Sequence, residues 1–178
     1  MAVSHLEPIV RERVAQGWSD AAVRPHRAPD LVEAYLLAGE AEAARTVLER
    51  FDEDARRTGR ASALAAAAAC RGLLAGEEEF EAYFREALAP PGALGPFARA
   101  RTQLHYGTQL LDAGREADGR RELRAALAGF GRLGARPWEE QALEGLARSG
   151  APAEAGRKLR SERPPQGSSS DGYTEASG

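Results

Sequence analysis

Residues 106–117, YGTQLLDAGREA, decide the fold of this chain, because they contain the end of one helix, a glycine turn and the start of another helix. The pattern predicts a helix over Pro96–Ala113 that stops at Gly114, and a second helix over Arg115–Leu133. Two helices joined by so short a turn fold back on each other. This segment therefore predicts an antiparallel helical hairpin.

The same kind of turn occurs at three places in the chain. The three turns are Gly39-Glu40-Ala41, Gly76-Glu77-Glu78 and Gly114-Arg115-Glu116. In the helix after each turn, a large apolar residue occupies a matching place at Leu48, Phe84 and Leu123, so the spacing is 36 residues and then 39 residues. Such spacings are typical of helical repeats, because one hairpin cannot bury its own apolar face and neighbours stack to form a continuous core. We therefore predict an all-α fold of stacked antiparallel hairpins, with an ordinary helical bundle as the alternative.

Composition and residue size favour the same fold. The chain has 37 alanines among 178 residues and a single isoleucine, Ile9, so helix formers dominate and β-branched residues are scarce. The small residues Ala44, Gly107 and Gly119 lie where helix axes are expected to approach each other closely. The large residues of the matching places are expected to fill the gap between layers.

Two segments lie outside the predicted hairpins. Near the N-terminus, apolar residues at helical spacing predict a helix over His5–Gln16. From Glu162 onward the chain is rich in Pro, Ser and Gly, which predicts disorder. We expect three parts: an N-terminal helix and connection that is a candidate remnant of a preceding repeat (1–28), the helical repeats (29–150), and a basic, then Ser/Gly/Pro-rich disordered tail (151–178).

Acidic residues mark the predicted helix starts. Asp30 with Glu33 resembles a capping box, in which the Asp30 side chain binds free backbone N–H groups. The clusters Glu77–Glu79 and Glu139–Glu140 are expected in the first turns of helices, where negative charge is favourable. That position explains both clusters without acid–base chemistry.

The overall charge and the cysteine count exclude several classes of protein. A net charge of −3 provides no general attraction for nucleic acid. Cys70 is the only cysteine, and no basic segment followed by an apolar run begins the chain, so we expect a cytoplasmic protein. The longest apolar stretch, Ala63–Cys70, is too short to span a membrane.

No constellation typical of catalysis or cofactor binding occurs in the sequence. Cys70 follows an alanine run and is predicted to be a small core residue. His5, His26 and His105 lack the spacing of a helical metal site, and no phosphate-binding glycine loop is present. We therefore expect no catalytic, metal or cofactor site and predict that the protein is not an enzyme.

The stretch 106–117 resembles a tetratricopeptide repeat. Gly107 and Gly114 in this stretch, and Leu123 and Ala126 after it, lie at that family's spacing. Outside the stretch, Gln103 and Gly131 depart from the family's aromatic residue and proline. The resemblance implies a right-handed superhelix in which the first helix of each pair lines a concave side. By the family's register, Arg101, Thr108 and Asp112 face that side and are the predicted contacts with a partner; the alternative is that they are simply solvated.

A second resemblance concerns three longer stretches, residues 29–34, 97–102 and 123–135. Together they resemble the helical-repeat region of large ATP-binding LuxR-family (MalT-like) transcriptional regulators. In that family the repeats follow an NTPase domain and precede a helix-turn-helix, and this sequence contains the pattern of neither. The resemblance implies a bacterial scaffold in transcription regulation that acts through a protein partner or self-association, without direct DNA binding.

Two other functions are alternatives to the scaffold. A small-molecule (inducer) sensing helical domain is the first alternative, and Tyr106, Leu110 and Trp138 would line its apolar pocket. An enzyme is the least supported, because no polar constellation suggests one. The basic segment Arg157–Arg160 is too short to indicate more than a weak contact with phosphate.

Overall fold

The computed structural model describes residues 27–149, and all regular structure within that range is helical. The predicted all-α class is therefore confirmed for these residues. The helices are α1 (Ala28–Leu37), α2 (Ala41–Thr58), α3 (Ala61–Leu74), α4 (Phe80–Leu88), α5 (Pro96–Asp112), α6 (Glu116–Leu133) and α7 (Arg136–Arg148).

Successive helices pack in pairs. α1 packs against α2, α3 against α4 and α5 against α6, and α7 packs against α6. In the third pair, Gly107 lies against Leu123 while Ala100 lies against Gly129, so α5 and α6 run in opposite directions. The described range thus contains three helix pairs followed by one further helix.

The apolar core continues from each pair into the next. Cys70 of α3 packs in one cluster with Val32 of α1 and Leu48 of α2. Leu73, one turn further along α3, packs against this cluster and also against a second cluster from α4 and α5, whose members are Phe80, Phe84, Tyr106 and Leu110. Because α3 contributes to the core on both sides, the neighbouring pairs stabilise each other as stacked repeats do.

A shift of 75 residues relates the two ends of the described range. α2 and α6 are both 18 residues long and begin at residues 41 and 116, while α3 and α7 begin at residues 61 and 136. Gly39 and Gly114, in the turns before α2 and α6, have φ of 78° and 77°. Gly59 and Gly134, which end the same two helices, have φ of 63° and 65°. From the end of one helix to the start of the third, the helix bounds and the turn glycines therefore recur after 75 residues.

We call residues 28–74 the first unit and residues 103–148 the second unit. Under the shift of 75 residues, eight of the 13 buried positions of the first unit correspond to buried positions of the second, whereas Ala68 and Gly72 correspond to exposed residues. The corresponding buried pairs are Val32 and Gly107, Tyr35 and Leu110, Ala44 and Gly119, Leu48 and Leu123, Phe51 and Ala126, Ala55 and Phe130, Ala67 and Ala142, and Cys70 and Gly145. Few of these pairs are identical, so the two units share helix faces rather than side chains.

The capping box predicted at Asp30 does not form. α1 begins at Ala28 with Arg27 as its N-cap, so Asp30 lies inside the first turn. The reason is Pro29, whose fixed φ and missing N–H suit the first turn of a helix and move the start upstream. The predicted domain boundary between residues 28 and 29 likewise falls inside this turn.

The expectation that Glu77–Glu79 lie in the first turn of a helix is also wrong. α3 ends at Leu74, and its C-cap residue Ala75 is extended. The chain then turns through residues 76–79 before α4 begins at Phe80. Glu77–Glu79 therefore precede the helix, and Gly76 lacks the positive φ that the other two turn glycines have. Glu139, in contrast, does lie in the first turn of α7.

Two predictions concern parts of the chain that lie outside the described residues. They are the N-terminal helix over His5–Gln16 and the disordered tail over residues 151–178.

Candidate interaction groove

The first helices of the three pairs, α1, α3 and α5, enclose a small groove. Two of the four residues that α3 contributes to its lining are alanines, and their small side chains leave room for side chains of α1 and α5 to meet across α3. The lining residues are Pro29, Glu33, Ala66, Ala69, Cys70, Leu73, Leu94, Ala98, Arg101, Thr102 and His105.

Charged side chains from α1 and α5 meet over this groove. The Arg101 guanidinium lies 2.5 Å from Asp30 Oδ1 and 3.4 Å from Glu33 Oε2. His105 Nε2 contacts Glu33 Oε1. Only 17% of the Arg101 side chain and 17% of the Glu33 side chain are exposed, so solvent screens their ion pair less than a surface pair. We call these four residues the charged bridge.

The charged bridge favours the ionised form of Glu33. Burial raises the pKa of Glu33, but the hydrogen bond and charge of His105 and the charge of Arg101 outweigh burial and leave the pKa below its ordinary value. Glu33 is consequently a carboxylate at neutral pH. The first and third helix pairs are thus joined by opposite charges.

The base of the groove is apolar and chemically inert. Cys70 is buried, which confirms the prediction of a core residue, and burial raises the pKa of its thiol to about 12. A thiol with so high a pKa is neither a nucleophile nor a metal ligand at neutral pH. The groove encloses about 40 Å³. That volume suits a water molecule, whereas pockets for small molecules are on the order of 300–1,000 Å³.

The three predicted partner contacts have different surroundings on α5. Arg101 belongs to the charged bridge. Thr108 is half-buried, and its hydroxyl donates a hydrogen bond to the Leu104 carbonyl at 2.9 Å. Asp112 is exposed at the C-terminal end of the helix. Helical periodicity places all three on one side of α5, since they are spaced by seven and then four residues.

The residues predicted to line an inducer pocket do not come together. Tyr106 and Leu110 are buried in the cluster with Phe80 and Phe84 of α4. Trp138 belongs to a different cluster, where its ring stacks on Phe130 with centroids 5.7 Å apart. The prediction was wrong because Tyr106 and Leu110 lie in the core on one side of α5, whereas Trp138 of α7 lies in the core on the other side.

Sequence reasoning missed the roles of Asp30, Glu33 and His105. The acidic pair was interpreted as a helix cap, and the histidine as isolated. A usable signal was present, because Asp30 and Arg101, like Glu33 and His105, are separated by about two of the predicted helix-pair periods. Residues at that spacing occupy the same level of two parallel first helices, so opposite charges there indicate a contact.

Comparisons with known proteins identify no relative. No family model matches the chain, and no curated protein and no solved structure matches it. Among the helices of residues 27–149, none is long and apolar enough to cross a membrane. Within the same range, no three His, Cys, Asp or Glu side chains are grouped as metal ligands.

Proposed function

We propose that this chain is a non-enzymatic scaffold of tetratricopeptide-like hairpins that binds a protein partner along its first helices. The observation that carries the proposal is the backbone period of 75 residues, together with the parallel α1 and α5 that meet in the charged bridge. Arrays of this kind present equivalent helices side by side, and the resulting extended surface is where they bind partners.

The C-terminal half of α5 is the part of this surface that we assign to the partner. Arg101 is already paired with Asp30 and Glu33, so its charge is compensated within the chain. About two turns later the same side of the helix continues through Thr108 to the exposed Asp112. A partner there meets polar groups on a rigid helix, which supports specific rather than purely apolar recognition.

We further propose that the scaffold acts in the cytoplasm in transcription regulation, as in the LuxR-family regulators whose repeats the sequence resembles. The support for this step is the resemblance of residues 29–34, 97–102 and 123–135. In such a system the scaffold would contribute protein–protein contact.

Quantitative affinity capture with matched variants tests the proposed surface. The bait is the full chain, its double variant Thr108→Arg/Asp112→Arg, or the control Glu49→Arg on the exposed side of α2. We expect a protein that wild type and control retain equally and that the double variant loses. The captured protein should then bind the purified wild-type chain directly in calorimetry. Equal retention by all three baits would contradict this assignment.

A further inference from the structure

The outer face of α7 is uncovered in the described part of the chain. Leu143 is 51% exposed, and Ala147, one turn later on the same side, is also exposed. Glu140 and Glu144 border the two apolar residues, and no ion pair joins either carboxylate to another residue of the range 27–149. The face is thus an apolar strip with an acidic edge.

The equivalent face of α3, in the first unit, is covered. Ala68 and Gly72 correspond to Leu143 and Ala147 under the shift of 75 residues, and both are buried. The ring of Phe84 from α4 lies directly on Gly72, where an added Cβ would be only 2.9 Å from the ring. The fold therefore places the helix that follows α3 over this face.

The sequence after α7 includes a segment at the position that corresponds to α4. Residues 155–163, AGRKLRSER, correspond to α4 under the same shift, and Leu159 takes the place of Phe84. The sizes of the two residues compensate for each other in each unit. In the first unit the large Phe84 faces Gly72, and in the second the smaller Leu159 would face the larger Ala147. The segment is basic, which complements the acidic edge of α7.

We propose that residues 155–163 bind the outer face of α7, with Leu159 on Leu143 and Ala147 and with basic side chains beside Glu140 and Glu144. These residues lie outside the described range. The proposal rests on their sequence, on the uncovered face of α7 and on the packing of α4 against the equivalent face of α3. The contact would close the end of the array within one chain. It does not depend on the proposed partner surface of α5.

Disulfide trapping in the full chain tests the contact. The variant Ala147→Cys/Leu159→Cys places two thiols together, whereas the control Gln141→Cys/Leu159→Cys places one thiol about a third of a turn around α7. Cys70 stays in place because it is buried. We expect the intramolecular disulfide of the first variant to form about tenfold faster than that of the control. Equal rates, or disulfide-linked dimers in place of the intramolecular bond, would overturn the proposal.

A double-mutant cycle provides a second measurement that needs no new cysteine. Leu159→Asp should lower the melting temperature of the wild-type chain. The same change should have no effect in the Leu143→Asp variant, whose apolar contact is already lost. If Leu159→Asp leaves the melting temperature of the wild-type chain unchanged, the segment does not bind this face.

Discussion

The first and second units share helix bounds and turn conformations, but their buried side chains differ. In the second unit, α5 and α6 approach at two glycines: a Cβ on Gly107 would lie 2.8 Å from Leu123 Cγ, and one on Gly119 would lie 2.7 Å from Leu111 Cδ2. In the first unit the same two places hold Val32 and Ala44, both fully buried. The comparison shows that the pairs α1–α2 and α5–α6 pack with side chains of different size, although their turns and the helix faces that they bury correspond.

The two units also exchange a large and a small buried residue in their second helices, α2 and α6. The first unit places Phe51 and Ala55 on successive turns of α2, and the second places Ala126 and Phe130 on successive turns of α6. Each unit thus buries one large and one small residue, in the opposite order. Core volume is conserved while the aromatic ring moves by one turn, which cores tolerate best.

The largest expected effect is the loss of stability when the buried phenylalanine of either unit, Phe51 or Phe130, is replaced by alanine. Phe130→Ala should cost about 3–5 kcal/mol of unfolding free energy, because Phe130 is fully buried and its ring meets those of Trp138 and Phe97. Phe51→Ala should cost less, since Phe51 is 6% exposed. Urea denaturation followed by circular dichroism measures both. A larger loss for Phe51→Ala would show that the first unit carries more of the stability.

The second prediction concerns the close approach of α5 and α6 at Gly107, which distinguishes the second unit from the first. Gly107→Ala should cost about 1–3 kcal/mol, because the new methyl group would meet Leu123 and the Gly119 carbonyl. Gly131→Ala in α6 is the matched control, with no neighbouring atom within 4 Å. That control should raise stability by about 0.5–1 kcal/mol through the better helix propensity of alanine. Stabilisation by both changes would exclude tight packing at Gly107.

The third prediction tests whether the turns of the two units are equivalent. Gly39→Ala and Gly114→Ala should each cost about 1 kcal/mol, because both glycines have positive φ and neither is crowded. The two losses should agree within the error of thermal unfolding curves. A loss at one turn alone would contradict the shared backbone.

The smallest effect concerns the charged bridge, to which the first unit contributes the carboxylates of Asp30 and Glu33. Glu33 corresponds to the uncharged Thr108 of the second unit. Glu33→Gln should cost up to about 1 kcal/mol at pH 7. Because the pKa of Glu33 is lowered in the folded state, this stabilisation is present above the ordinary carboxyl pKa of 4.5 and is lost as the pH falls through the lowered pKa.

The check for Glu33 is the difference between the melting temperatures of wild type and variant across pH 2–7. The difference should shrink toward zero at the acidic end of this range. Glu49→Gln, an exposed carboxylate on α2, is the control and should show no such trend. A difference that is independent of pH would mean that the ionised form of Glu33 contributes nothing.

Much of the fold was predictable because it depends on neighbours in the chain. The glycine turns at Gly39 and Gly114, the helical class and the burial of Cys70 all follow from local composition and spacing. The turn at Gly76 was not predictable from its resemblance to the others. Only the extended end of α3 shows that the chain needs residues 76–79 before the next helix begins.

The groove depended on the tertiary structure. Arg101 and Asp30 are separated by 71 residues in sequence, and their contact requires that α1 and α5 lie parallel and close across the alanines of α3. Periodicity determines which residues share a helix face, but it does not determine which helix that face meets. The sequence by itself therefore determined the helices, their turns and their inward faces, because these are set within a few residues. The tertiary structure alone decided that Glu33, Arg101 and His105 would meet, because packing sets the distance and rotation between helices.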